Sequence, residues 1–212
     1  MQTDLIPNRA NPLFDAPGLS GSEDADRRAI EAHAQYQQAA ARMRGERTTQ
    51  IDLSDLPLLS DLPPLISSCR QLASLNLAGT SVSQLEALAS LPRLERLVLW
   101  GTDVQDLSPL RQVKSLRWLN VGRTAVRSIE ALAELPQLEV LDLSHTGVTD
   151  LEPLAGAIRM RELILRGLPI TSIQPLERMR DLQFLDLAGT AIADLSPAEA
   201  IKGLLWLNTA AF

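Results

Sequence analysis

The chain matches itself when shifted by 22 residues, and that self-similarity decides most of what it can fold into. One column reads Leu72, Leu94, Leu116, Leu138, Met160, Leu182 and Leu204, and three residues further on stand Leu75, Leu97, Leu119, Leu141, Leu163, Leu185 and Leu207. Leu77, Leu99, Val121, Leu143, Leu165 and Leu187 follow, then Thr80, Thr102, Thr124, Thr146, Leu168 and Thr190. A second apolar set closes each unit: Leu85, Leu107, Ile129, Leu151, Ile173 and Leu195, then Leu88, Leu110, Leu132, Leu154 and Leu176. A unit this short cannot bury its own leucines, so neighbouring units must stack.

The alternation at Leu75 and Leu77 predicts a short strand with one buried face. Asp106, Ser108 and Pro109, like Asp150 and Pro153, predict a helix start, where proline forfeits no hydrogen bond. A segment such as SPLRQV has room for only one or two turns of α or 3-10 helix. Strands stacked at about 4.8 Å then form a parallel sheet, curved because strands and helical turns differ in width. The pattern L-x-x-L-x-L-x-G-T-x-V, followed by DLSPL or DLEPL, resembles the leucine-rich repeat family, and its period is similar to that of internalin-like repeats. The resemblance covers residues 50 to 209. It implies an α/β solenoid, a leucine-rich repeat horseshoe with a parallel concave β-sheet and short convex helical turns. The family usually carries Asn in the Thr column, where it bonds the loop backbone between repeats. The Thr hydroxyls are expected to do the same at shorter reach. Leu168 and Pro169 interrupt this column, which predicts a local deviation in their turn.

Residues 1–21, rich in Pro, Gly and Asn and without a period, are expected to be a flexible leader. Ser20 and Glu23 have capping-box spacing, Asp24 and Asp26 fall in a first turn, and Arg42 and Arg44 in a last turn before Gly45. These signals predict a helix over 22–45 within an N-terminal capping segment, 22–47. Its small face, Ile30, Ala34 and Ala41, is expected to cover the open end of the first repeat. Residues 48–212 form the repeat domain, with about seven repeats, the first irregular and the last truncated. In the last unit Thr209 stands where the third leucine belongs. The edge there is expected to meet a second copy, a downstream domain or a partner, with Trp206 and Phe212 covering it in part.

A net charge of −6 supplies no basic stripe to neutralise phosphates, which argues against nucleic acid as a partner. No apolar run is long enough to span a bilayer, and the first residues lack the basic and apolar regions of a classical signal peptide. The single Cys69 forms no internal disulfide, which fits a reducing compartment. Asp142, Ser144 and His145 adjoin in LDLSHT, but the first two share a strand face with no base between them, and no nucleophile elbow is present. Asp142 and Asp186 belong two strands apart, about 10 Å, too far for a coupled dyad. Cys69, His33 and His145 do not make a metal set. No enzyme activity, metal or cofactor is expected.

The chain has three Trp, and all of them fall on strand columns that face away from the leucines. Trp and Arg are enriched at binding hot spots. Arg96, Val98, Trp100, Trp118 and Asn120 are therefore expected to form a partner-binding patch, extended by Arg123, Asp142, Ile164, Arg166 and Phe184. The competing reading is that rings pack across strands to stabilise the sheet, and it is preferred for Trp206. The chain resembles the repeat portion of bacterial type III effectors, in which such repeats select host proteins and a separate ubiquitin-ligase domain acts on them. The resemblance implies a protein-interaction module that binds a host target, held first in the bacterial cytoplasm and then translocated without a signal peptide. The alternatives are a non-exported cytoplasmic scaffold or phosphatase-regulator-like protein, and an enzyme whose catalytic domain lies outside this chain.

Overall fold

The computed structural model describes residues 23–44 and 48–210. The leader 1–21, Ser20, Gly45 and Phe212 lie outside the described residues. The repeat resolves into eight three-residue strands: β1 (Gln50–Asp52), β2 (Ser74–Asn76), β3 (Arg96–Val98), β4 (Trp118–Asn120), β5 (Val140–Asp142), β6 (Glu162–Ile164), β7 (Phe184–Asp186) and β8 (Trp206–Asn208). They form one parallel sheet in chain order. The register advances by one repeat per strand, so Leu75, Leu97, Leu119, Leu141, Leu163, Leu185 and Leu207 stand level. β1 joins that row through Ile51, two residues outside the 22-residue period.

Between strands the chain returns through single 3-10 turns at Pro64–Ser68, Glu86–Ser90, Ser108–Gln112, Glu130–Glu134, Glu152–Leu154 and Gln174–Arg178, and after β7 through a four-residue helix, Ser196–Glu199. Proline opens several of these turns, where its missing N–H leaves no bond unmade. The aspartates act just upstream. Ser108 donates its hydroxyl to Asp106 at 2.6 Å and its N–H at 2.8 Å, which holds the Asp106 carboxyl below the usual carboxylate range. Asp150 and Asp194 accept the N–H of Glu152 and Ser196 in the same way.

The leucine columns merge into one core running the length of the sheet. Leu75, Leu97, Leu119, Leu141, Leu163 and Leu185 are all 0% exposed, whereas Leu207 on β8 is 37% exposed. β8 pairs with β7 alone, so its leucine is covered from one side. Cys69 is also buried, and burial pushes its thiol pKa up.

The Thr column behaves differently from expectation. Each hydroxyl donates to the carbonyl three residues back in its own turn, Thr80 to Leu77 at 2.8 Å, Thr102 to Leu99 at 2.7 Å and Thr124 to Val121 at 2.7 Å, with Thr146 and Thr190 alike. A side chain this short closes its own turn and does not reach the next repeat. Backbone makes the link instead: Gly79 N–H donates to Trp100 C=O at 2.8 Å, Gly101 to Gly122 at 2.9 Å, and Arg123 to Ser144 at 2.8 Å. At Leu168 the hydroxyl is gone, yet Gly167 still donates to Ala188 at 2.8 Å and Leu168 to Leu165 at 3.2 Å. That turn therefore keeps the common hydrogen bonds, and the expected deviation does not appear in them.

The N-terminal helix α1 spans Glu23–Arg42. Ala39, Ala40 and Met43 at its C-terminal end are buried, with Tyr36 packed against the core, while Ile30 is 55% exposed and Ala34 and Ala41 are exposed. The covering face is therefore a different stripe from the one expected. Polar anchors set it: Leu58 N–H donates to Gln35 Oε1 at 2.7 Å, and Arg42 donates to the Asp52 carbonyl and both Asp55 oxygens at 2.6 to 2.7 Å.

Leu119→Ala removes a fully buried side chain from the middle of the stack and is expected to destabilise the chain by about 2–5 kcal/mol. Urea unfolding followed by circular dichroism measures this, and an unchanged midpoint would refute the assignment of its column to the core.

Candidate functional site on the open face of the sheet

On the face opposite the leucines, the units share a local rule. The third strand residue is Asn or Asp, and its Oδ1 accepts the N–H two residues on: Asp52 from Ser54 at 2.9 Å, Asn76 from Ala78 at 3.0 Å, Asn120 from Gly122 at 2.9 Å, Asp142 from Ser144 at 2.9 Å, Asp186 from Ala188 at 3.0 Å and Asn208 from Ala210 at 3.1 Å. Such side chains turn the backbone at a strand end. The donor residue is always small. Val98 followed by Trp100, and Ile164 followed by Arg166, break the rule, and both breaks replace the small residue with a large one.

A second rule concerns the next position. Stacking requires a left-handed backbone there, which glycine supplies at Gly79, Gly101, Gly167 and Gly189, with φ of 65° to 70°. Arg123 at φ 54° and His145 at φ 57° hold the same conformation with a side chain attached. That conformation costs an L-residue about 1–2 kcal/mol. The four departures from the two rules, Trp100, Arg123, His145 and Arg166, fall on four consecutive repeats, after β3, β4, β5 and β6.

Their geometry forms a bounded surface. Trp100 is 42% exposed and leans over Gly122, where an added Cβ would lie 3.1 Å from the Trp100 Cδ1. A side chain there would push the ring outward by a few tenths of an ångström. The Arg123 guanidinium sits 5.4 Å from the centre of that ring, and towards the other end of the same strands the Arg96 guanidinium sits 3.5 Å from the centre of the Trp118 ring. Each Arg–Trp pair ties β3 to β4. In the Trp100 column only the buried Gly122 and Ser144 separate it from Arg166, three strand spacings or about 14 Å away. Arg166 pairs with the buried Asp186 at 3.5 Å.

The ten residues expected to bind a partner all lie on this face or its turns, but they do not form one cluster. Arg96, Val98, Trp100, Trp118, Asn120 and Arg123 gather on β3, β4 and the turns after them. Asp142 is joined to this group by the Asn120 amide at 2.9 Å, and Ile164 and Arg166 follow on β6 and its turn. Phe184 stands apart, its ring stacked on Trp206 at 4.0 Å and 5°. Sequence reasoning missed His145 as part of the surface, along with Gly122 and Ser144 as its floor. The signal was present, because from residue 79 to residue 189 His145 occupies a column that is otherwise glycine except at Arg123. The Asp142 carboxylate holds the Ser144 N–H and the Asn120 amide, so both its oxygens are engaged in strand geometry.

Solved structures share this architecture. Internalin C2 of Listeria monocytogenes superposes with a TM-score of 0.60 at 23% identity, over 68% of this chain and 74% of that one. A leucine-rich repeat protein of Leptospira interrogans gives 0.65 at 21% identity, over 77% of this chain and 46% of that one. The fold is the leucine-rich repeat solenoid. No protein-family profile and no curated protein matches the chain. In a leucine-rich repeat the leucines and the left-handed turns are set by stacking, so the departures on the open face are not needed to bury the core.

Replacing Arg123 by Gly relieves the left-handed strain, about 1–2 kcal/mol, and adds unfolded-state entropy of about 0.4–1 kcal/mol. The first effect is larger, so Arg123→Gly is expected to raise stability by about 0.5–1 kcal/mol. A lowered midpoint in urea would show that the Arg123 side chain stabilises the fold.

Proposed function

We propose that this leucine-rich repeat chain is a protein-interaction module that binds its partner through the open sheet face, centred on Trp100 and Trp118. One observation carries this reading: the four departures from the repeat's local rules lie on consecutive repeats and bring large, exposed side chains to one surface. Buried, well-packed Trp and Arg anchors are what concentrate binding energy in protein interfaces. Trp100→Ala combined with Trp118→Ala is expected to abolish capture of a partner in a pull-down, with an unchanged circular dichroism spectrum because neither ring belongs to the leucine core. Partner capture by the double variant at wild-type affinity would defeat the proposal.

The finer reading is target recognition by a bacterial virulence effector delivered into host cells, coupled to a separate ubiquitin-ligase domain. It is supported by the likeness of the sequence to the repeat portion of type III effectors. The alternative is a non-exported scaffold in the cytoplasm. Fusion of the chain to a translocation reporter separates them: signal in host cells that depends on the type III apparatus is expected for the effector, and its absence favours the scaffold. The β8 edge, where Leu205 is 82% and Trp206 43% exposed, is a second candidate contact, for another copy or a further domain.

A further inference from the structure

We infer that the partner segment held by this face is acidic, an extended stretch whose carboxylates are gripped by Arg96 and Arg123; this rests on the proposed reading of the face as a protein-binding surface. Several arginines find their counter-charge within the chain. Arg42 pairs with Asp55 at 2.6 Å, Arg117 with Glu139 at 2.8 Å, Arg111 with Glu130 at 3.7 Å and Arg166 with Asp186 at 3.5 Å. In a chain of net charge −6, carboxylates are plentiful. Arg96 and Arg123, like Arg70, Arg127, Arg178 and Arg180, form no ion pair among the described residues, and what sets these two apart is that each lies over an indole ring. Glu95, the sequence neighbour of Arg96, forms no ion pair with it.

A guanidinium held against an aromatic face keeps its N–H edge directed outward in the plane, and that edge matches a carboxylate with two parallel hydrogen bonds. Arg96, 3.5 Å from the centre of the Trp118 ring, is held by it before a ligand arrives, so less freedom is lost on binding there. β3 and β4 contribute no carboxylate to the open face, only Arg96, Val98, Trp118 and Asn120, and the carboxylate of the adjacent β5, Asp142, is already engaged by the Asn120 amide and the Ser144 N–H. Arg123 is level with Gly101, five residues beyond Arg96 along the strand direction. An extended acidic chain running along β3 and β4 would meet Arg96 on the strands and Arg123 at the turn beyond them. Trp100, 42% exposed, lies near the Arg123 end of this path to receive an apolar group.

The probes are three fluorescein-labelled extended peptides of one sequence carrying two Glu four residues apart, or Gln, or Lys, at those positions. They are titrated into the full chain with anisotropy and tryptophan emission as readouts. The Glu peptide is expected to bind about tenfold or more tightly than the Gln peptide, with the Lys peptide weakest and the preference shrinking as salt rises. Arg96→Gln and Arg123→Gln should each reduce the Glu-over-Gln preference about threefold, and Arg96→Lys should restore only part of it. No binding of the Glu peptide, or equal binding of the Glu and Gln peptides, would overturn the inference, as would Arg→Gln variants that keep the preference. If Glu and Gln peptides bind alike to the wild type but not to the Trp100→Ala, Trp118→Ala chain, the face stands as a binding surface and only its acidic preference falls.

Discussion

A three-residue strand and one helical turn enclose no core, so every leucine in this solenoid is buried by the unit before it and the unit after it. The contrast within one column makes the dependence visible: Leu185 is 0% exposed with strands on both sides, and Leu207, one repeat on, is 37% exposed with a strand on one side. The same lateral dependence governs the backbone. The N–H at each left-handed position donates to a carbonyl of the next repeat, as Arg123 does to Ser144 and His145 to Arg166, both at 2.8 Å. That conformation is therefore shared by the six units after β2 to β7, whatever residue occupies it. Glycine satisfies it without strain, and any other residue there is retained against a steric penalty.

Because stacking dictates so much, the positions it leaves open are few and easy to define. The strand residue carrying the Asn or Asp cap and the small residue two places on form a closed local arrangement, repeated at Asn76 and Ala78, Asn120 and Gly122, Asp142 and Ser144, and Asp186 and Ala188. Exchanging the cap for Val98 or Ile164 removes a hydrogen-bond acceptor for the turn, and exchanging the small residue for Trp100 or Arg166 adds bulk that the stack does not use. These changes weaken the local arrangement. Their coincidence with the two side-chain-bearing left-handed turns concentrates all such departures between β3 and β6.

Much of this was legible in the sequence, for a definite reason. A period that keeps every leucine in phase fixes strand register and buried face together, so the core columns and the outward placement of Trp100 and Trp118 follow from counting. The helix was harder. Alanines are scattered around α1, so no stripe of it stands out as the buried one, and its rotation is set by Gln35 and Arg42 reaching residues 58, 52 and 55 on another element. The Thr column was misjudged on reach alone, since the hydroxyl lies 2.7 to 2.8 Å from a carbonyl of its own turn and has no need of the neighbouring repeat. His145 was weighed as chemistry beside Asp142 and Ser144 when its column, glycine in most repeats, was the informative comparison.

The aromatic pairs show how one residue type serves both the fold and the surface. Phe184 and Trp206 lie flat against each other at 4.0 Å, two rings from adjacent strands that meet no cation, and this arrangement serves the sheet. Arg96 over Trp118 and Arg123 over Trp100 also bridge adjacent strands, but each covers its ring with a charged group. Were strand cohesion the only requirement, a second ring or a branched aliphatic side chain would provide it without placing a charge on the sheet. The cation adds what those lack: hydrogen-bond donors held at fixed places on an open face. Trp100 and Trp118 thus serve two ends, packing across strands while positioning the arginines, and the physical distinction between stabilising the sheet and presenting a surface lies in the guanidinium.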